Sequence, residues 1–168
     1  MNAPLMVSIA ESLAHEGFAV MRFNFRGVGE SEGEHDFGDG EMDDIAAAVR
    51  VAADRFGELP LGLAGWSFGA VTSLRWQARD GDGLSWVGVA TPVGSTRSKE
   101  MPDPGTLATA RRTMILGDRD QFASVEDTQT YADSIGADLE VLKGSDHFFY
   151  FREEKVAKLV AAGLSESA

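Results

Sequence analysis

The amino-acid sequence predicts one α/β domain over residues 1–168, with a mostly parallel sheet that carries helices on both faces. Two observations support this prediction. Short apolar segments alternate with segments of helical spacing along the chain, which is typical of parallel sheets covered by helices. In addition, 168 residues of which 43% are apolar and 25% charged fit a single compact domain.

The chain opens with a predicted helix and a predicted strand. Apolar residues recur at helical spacing at Leu5, Ile9 and Leu13, which predicts a helix. Gly17 then offers a stop for this helix. The segment 18–25 is short and rich in aromatic side chains, which predicts a strand.

A loop and a second helix come next. Residues 26–40 are rich in glycine and acidic side chains, which predicts a loop. From Met42 onward apolar residues again recur at helical spacing as far as Gly57, which predicts an amphipathic helix with its apolar face on Ile45, Val49, Ala52 and Phe56.

The rest of the chain alternates between strands and helices. Short apolar runs predict four further strands, at 61–65, 86–90, 113–116 and 139–142. Helical spacing predicts three further helices, at 68–79, at 125–135 and around Val156, Leu159 and Val160. Ser124 can cap the second of these three, with Asp127 as its capping-box partner.

Charge and residue types exclude several classes of function. The formal net charge of −12 argues against binding to a nucleic-acid backbone. No run of 18 apolar residues exists to span a membrane. The absence of cysteine excludes a disulfide framework, thiolate metal sites and a cysteine nucleophile. The N-terminal residues lack the features of a signal peptide, so we expect a cytoplasmic protein.

The motif G-x-S-x-G occurs twice, around Ser31 and around Ser67. An activated serine in this motif sits on a tight turn from a strand directly into a helix, with small residues two positions before and after it. Ser67 meets these conditions, because an apolar strand ends at Gly65 and a helix starts at about Phe68. Ser31 lies in the acidic loop, where neighbouring carboxylates oppose developing negative charge. Ser67 is therefore the predicted nucleophile.

A serine hydroxyl needs a base, and histidine is the side chain suited to that role near neutral pH. The chain has three histidines. His15 on the first helix and His35 in the acidic loop are expected to be solvated surface residues. His147 follows the last predicted strand, so it lies at the carboxyl edge of the sheet, where parallel sheets collect their ligands. We expect His147 to be the base.

A carboxylate should hold the imidazole in the correct tautomer. Asp118 and Asp120 both follow the strand 113–116, and spacing alone does not choose between them.

Two other features of the sequence, an acidic loop and an aromatic run, do not require a catalytic role. The acidic loop, from Glu30 to Glu41, is expected to be a solvated face, because its carboxylates lack regular cation-ligand spacing. The aromatic run 148–151 either lines a pocket or anchors the last helix.

Four motifs together resemble small, cap-less bacterial α/β-hydrolases of the dienelactone-hydrolase-like and esterase-like branches. The motifs are Arg22 to Gly33 (RFNFRGVGESEG), Gly65 to Gly69, Gly117 to Asp120 (GDRD) and Asp146-His147-Phe148. The resemblance covers essentially the whole chain. It implies Ser67 as nucleophile, His147 as base, Asp120 as the acid and the backbone N–H of Phe68 as an oxyanion-hole donor, with no cofactor or metal.

The chain departs from this family at its front. The family has several strands and a loop before its first helix, and that loop supplies the second oxyanion donor. Here the first predicted element is that helix, which indicates an N-terminally truncated fold. The family strand between 18–25 and 61–66 is missing, so we expect these two segments to pair directly, to leave a gap or to be joined by something external. An exposed sheet edge also predicts a homo-oligomer.

The sequence therefore predicts a serine hydrolase that cleaves a small ester, thioester or amide through an acyl-enzyme on Ser67. The segment 90–112 is too short for a lid domain, so we expect an open site. An acyltransferase or a serine peptidase uses the same residues, whereas dienelactone hydrolysis is disfavoured because that activity uses cysteine. The competing hypothesis is a non-catalytic interaction module or inactive fragment. Upstream residues, if they exist, are expected to raise esterase activity.

Overall fold

The centre of the molecule is a parallel sheet of four strands in the order β1-β2-β3-β4. The structure, a computed structural model, describes residues 3–57 and 59–165. The strands are β1 (Gly62–Trp66), β2 (Ser85–Val89), β3 (Arg112–Gly117) and β4 (Asp138–Leu142). Each lies within one residue of its predicted bounds, and the α/β class predicted from the sequence is confirmed.

Five helices accompany the sheet in the described part of the chain, and they match the five predicted ones. They are α1 (Pro4–His15), α2 (Glu41–Phe56), α3 (Phe68–Asp80), α4 (Val125–Ser134) and α5 (Glu153–Leu164). At the start of α4 the Ser124 hydroxyl accepts the Asp127 N–H at 3.0 Å and donates to the Asp127 carboxylate at 2.7 Å. This cap was predicted from the sequence. Among the described helices none is long and apolar enough to cross a membrane.

Alternation along the strands divides the core into two layers, one on each face of the sheet. Val87, Val89 and Ile115 join the buried cluster of α1 and α5. Trp86 and Met114, their neighbours in sequence, join the cluster of α3 and α4. Successive side chains of a strand point to opposite faces, so an apolar strand can serve both layers. Helices on both faces are thus confirmed.

The predicted strand 18–25 is wrong, because this segment joins no sheet ladder. A strand needs hydrogen bonds from a neighbour, and among the described residues β1 pairs only with β2. The segment still shows strand-like alternation. Phe18 and Val20 pack on the layer of α1 and α5, whereas Phe23 and Phe25 pack on the cluster of α2 and α3. Of the expected arrangements, direct pairing of 18–25 with β1 does not occur.

Candidate active site

Ser67 occupies the turn between β1 and α3, at the carboxyl edge of the sheet. Its backbone has φ 52° and ψ −113°, a conformation that side chains other than glycine adopt only under strain. The Ser67 N–H donates to the Val89 carbonyl at 2.8 Å, which ties this strained turn to β2. The strand-turn-helix context predicted for Ser67 is therefore present. Ser31 instead lies in the loop, and its hydroxyl donates to the Asn24 carbonyl at 3.2 Å.

The two glycines of the Ser67 motif are not equivalent. A Cβ on Gly65 would lie 2.5 Å from the Gly69 carbonyl carbon and 2.6 Å from the Ala70 nitrogen, so the start of α3 lies directly against this residue. A Cβ on Gly69 would meet nothing within 4 Å. The prediction that both flanking positions must be small holds for Gly65 and is wrong for Gly69, because the close approach involves only the backbone of residue 69.

A continuous hydrogen-bonded chain links Ser67, His147 and Asp120. The His147 Nε2 lies 2.9 Å from the Ser67 Oγ, and its Nδ1 lies 2.9 Å from the Asp120 Oδ2. His147 is 4% exposed and the Asp120 carboxylate is fully buried. The second carboxylate oxygen accepts the N–H groups of Phe122 at 2.7 Å and Ala123 at 3.2 Å. These bonds fix the carboxylate, and the carboxylate fixes the ring.

The turn after β3 separates the contacts of Asp118 and Asp120, between which spacing alone did not choose. Asp120 reaches His147, whereas the Asp118 carboxylate accepts the Gly144 N–H at 2.6 Å. Asp118 therefore holds the loop that carries His147. Gly117 also contributes, since a Cβ there would lie 2.3 Å from the Ser145 carbonyl oxygen. Sequence reasoning missed this role of Gly117, although its place at the strand end was a signal.

Aromatic rings enclose the imidazole of His147. The centroids of the Phe122 and Phe148 rings lie 4.6 and 5.4 Å from that of His147, both edge-to-face. The Trp66 indole N–H donates to the His147 carbonyl at 3.1 Å. Within the run 148–151, Phe148 lines the site and Phe149 is fully buried in the layer of α1 and α5, whereas Tyr150 and Phe151 are exposed. These contacts exclude water from most of the imidazole.

A cavity of about 660 Å³ opens onto Ser67 and His147. Each strand end supplies part of its wall. Trp66, Ser67 and Phe68 follow or end β1, Pro92 and residues 95–99 follow β2, Phe122 follows β3, and His147 and Phe148 follow β4. His35 and Phe37 of the N-terminal loop complete it. Within residues 3–57 and 59–165 no cluster of acidic and histidine side chains could hold a metal ion.

His35 is the site residue whose surroundings the sequence concealed. His35 is exposed, as expected, but its Nδ1 lies 2.6 Å from the fully buried carboxylate of Glu41 and its ring packs on Phe68. Glu41 also accepts the N–H groups of Asp36 at 2.9 Å and Gly38 at 2.8 Å. The expectation that this loop is wholly a solvated acidic face fails at Glu41, because its carboxylate is fully buried. His15 is exposed, as expected.

Burial and hydrogen bonding act in opposite directions on Glu41. Burial alone would raise the pKa of this carboxyl, but the backbone N–H bonds and the neighbouring His35 outweigh it and lower the pKa below its ordinary value. Asp44 behaves similarly. Burial would raise its pKa, yet the bonds from the Arg26 side chain and N–H lower it. Both charged carboxylates therefore hold the N-terminal loop against α2.

Phe68 begins α3 directly after Ser67. The N–H groups of a first helical turn have no acceptor within their helix, so this N–H is available to a ligand. Ser67 and Phe68 both line the cavity. A negatively charged oxygen beside the Ser67 hydroxyl would meet the positive end of the α3 dipole.

The fold and this site define an α/β-hydrolase. The model of the Hydrolase_4 family, described as serine aminopeptidase S33, matches residues 3–114, more than half of the chain, which therefore belongs to this family. The expected resemblance to small α/β-hydrolases is confirmed, and the protein is a hydrolase of the serine type. Asp120 and His147 lie outside the matched residues.

Individual proteins show the same relationship. The uncharacterized protein RP471 of Rickettsia prowazekii (strain Madrid E) is 26% identical over 174 residues, covering 95% of this chain and 70% of that protein. An α/β serine hydrolase homologue from Coxiella burnetii is 28% identical with a TM-score of 0.84, covering 98% of this chain and 78% of its own. XC6422 from Xanthomonas campestris, a serine hydrolase without a lid, is 28% identical with a TM-score of 0.81, covering 98% and 73%.

Proposed function

We propose that this protein hydrolyses a small ester through an acyl-enzyme on Ser67, with His147 as base and Asp120 as the orienting acid. The observation that carries the proposal is the hydrogen-bonded chain from the Ser67 Oγ through both nitrogens of His147 to the Asp120 carboxylate. An isolated serine hydroxyl is a weak nucleophile, and this chain is what makes it reactive at neutral pH.

The proposed reaction has two halves. In the first, the Ser67 Oγ forms a bond to the ester carbonyl carbon while its proton passes to the His147 Nε2. The tetrahedral intermediate then collapses, the bond to the alcohol oxygen breaks, and His147 returns the proton to the leaving alcohol. In the second half, His147 takes a proton from water, the resulting hydroxide attacks the acyl-enzyme, and Ser67 leaves with the proton that His147 donates.

Asp120 stabilises the imidazolium that forms in each half. Its Oδ2 accepts the Nδ1–H of His147, and its other oxygen stays bonded to two backbone N–H groups. Negative charge on the former carbonyl oxygen is stabilised by the N–H of Phe68, which we propose as one donor of the oxyanion hole. Donors of this kind are each worth about 10²–10³ in turnover.

The cavity supports esters over aminopeptidase substrates. An aminopeptidase must hold a substrate ammonium group, which requires an acidic partner. Among the described residues that line the cavity, none carries a carboxylate, and the charged ones are Arg97 and Lys99. The Asp120 carboxylate is already bonded to His147. Thioesters and amides with the same acyl groups remain within reach of the proposed chemistry, with amides the hardest to cleave.

The proposal is tested with 4-nitrophenyl butyrate and acid-quenched mass spectrometry. We expect wild-type protein to release 4-nitrophenolate and to carry a butyryl group on Ser67 during turnover. Ser67→Ala should abolish both signals. Ser31→Ala is the matched control, because it removes the serine of the other G-x-S-x-G motif and should behave like wild type. Turnover that survives in Ser67→Ala would overturn the proposal.

A further inference from the structure

The charged side chains that line the cavity are opposite in sign to the net charge of the whole chain. The protein has 27 acidic and 15 basic residues, yet both formally charged side chains at the cavity wall are cations, Arg97 and Lys99. Both belong to the segment that follows β2. A cavity lined by one sign of charge attracts ligands of the opposite sign, even when the net charge of the protein repels them.

The two cations differ in their partners. Lys99 is bonded to the Asp39 carboxylate at 2.7 Å, and Arg75 shares the same carboxylate at 2.9 Å. Arg97 has no ion pair within residues 3–57 and 59–165. Its main chain is nonetheless held, because its N–H donates to the Ser95 hydroxyl at 3.3 Å. Arg97 thus has a full set of guanidinium donors for a ligand.

The rest of the cavity suits an apolar body. Trp66, Phe122 and Phe148 place aromatic rings against His147, and Phe68 also lines the cavity. The segment after β2 instead presents hydroxyl groups and Arg97. A ligand that fits both parts has an apolar or aromatic portion next to the reacting ester and an anionic group at one end.

We infer that Arg97 binds an anionic group of the substrate, so that the protein prefers esters of dicarboxylic acids or other acyl groups that end in a carboxylate. The inference rests on the proposed function, because the anion must reach Arg97 while the ester carbonyl lies at Ser67. A guanidinium and a carboxylate form two parallel N–H···O bonds, which fixes the orientation of the acyl chain as well as its charge.

The test compares two substrates of equal chain length, 4-nitrophenyl hexanoate and the 4-nitrophenyl monoester of adipic acid. We measure kcat/KM for both esters at low ionic strength in wild type, Arg97→Gln, Arg97→Lys and Arg50→Gln. Arg50 is an exposed arginine of α2 outside the cavity lining, so its substitution matches the change in charge. The readout is the ratio of kcat/KM for the anionic ester to that for the neutral one.

We expect Arg97→Gln to lower this ratio about fivefold, the effect of losing one partly exposed charge-assisted pair. The loss should fall mainly on KM of the anionic ester, since the contact is present in ground state and transition state alike. Arg97→Lys should retain part of the ratio, and Arg50→Gln should leave it unchanged. In wild type the ratio should also fall as salt screens the pair.

Each contrary result has a separate meaning. An unchanged ratio in Arg97→Gln overturns the inference while the proposed function stands. If the ratio stays unchanged because kcat/KM falls equally for both esters, Arg97 has a structural role and the inference is likewise overturned. If wild type hydrolyses neither ester and Ser67 acquires no acyl group, the proposed function fails, and the inference fails with it.

Discussion

Replacing Gly65 with alanine tests whether the geometry of the Ser67 turn depends on backbone contact between β1 and α3. The new Cβ would lie 2.5 Å from the Gly69 carbonyl carbon, 2.6 Å from its oxygen and 2.6 Å from the Ala70 nitrogen. All three are backbone atoms, so no side chain can rotate away. Forcing a methyl group into such a contact typically costs about 1–3 kcal/mol.

Gly69→Ala is the matched control. The added Cβ meets nothing within 4 Å, and alanine is favoured over glycine in a helix by about 0.5–1 kcal/mol. The two variants should therefore differ in their free energies of unfolding by about 1.5–4 kcal/mol, with Gly65→Ala the less stable. Urea denaturation followed by circular dichroism measures this difference as a shift in midpoint at constant slope. Equal midpoints for the two variants would refute the reasoning.

Three further predictions concern the site, the N-terminal loop and the sheet edge. Asp120→Asn should lower kcat for 4-nitrophenyl butyrate by about 10³–10⁴, because the amide no longer stabilises the imidazolium of His147, and a decrease below tenfold would contradict its proposed role. Folding lowers the pKa of the Glu41 carboxyl. Its contribution to the free energy of unfolding is therefore present above its ordinary pKa of 4.5 and is lost as the pH falls through its lowered pKa in the folded protein. Urea denaturation at a series of pH values from 7 downward should show the free energy of unfolding decreasing as the pH falls. Glu41→Gln should make this decrease smaller, and a decrease equal to that of wild type would refute the assignment. We also propose that copies associate through the outer edge of β1, which has no strand partner among the described residues. Light scattering should then show a mass that rises above the monomer with concentration, and a monomer mass throughout would count against it.

Features that depend on local sequence could be predicted well. The four strands of the sheet and the five helices follow from apolar alternation and helical spacing, which are local patterns. The turn at Ser67 was also visible, because strand, glycine, serine and helix stand next to one another in the sequence. The position of His147 followed from the rule that parallel strands gather ligands at their carboxyl ends.

Features that depend on distant partners could not be predicted. The segment 18–25 has the composition of a strand, but its assignment depends on a hydrogen-bonding neighbour that local sequence does not specify. Asp118 and Asp120 stand two residues apart in one turn, and their different partners, Gly144 and His147, come from a distant part of the chain. The pairing of the exposed His35 with Glu41 was not predicted, because it depends on how the loop folds back onto α2.

Covalent labelling of the chain by a fluorophosphonate probe, read by intact mass, tests the central claim most directly. The probe reacts with a serine hydroxyl that a neighbouring base has activated, and it needs no knowledge of the substrate. The account predicts one label on wild type and on Ser31→Ala, and none on Ser67→Ala. Absence of labelling on folded wild type, or labelling that persists in Ser67→Ala, would contradict it.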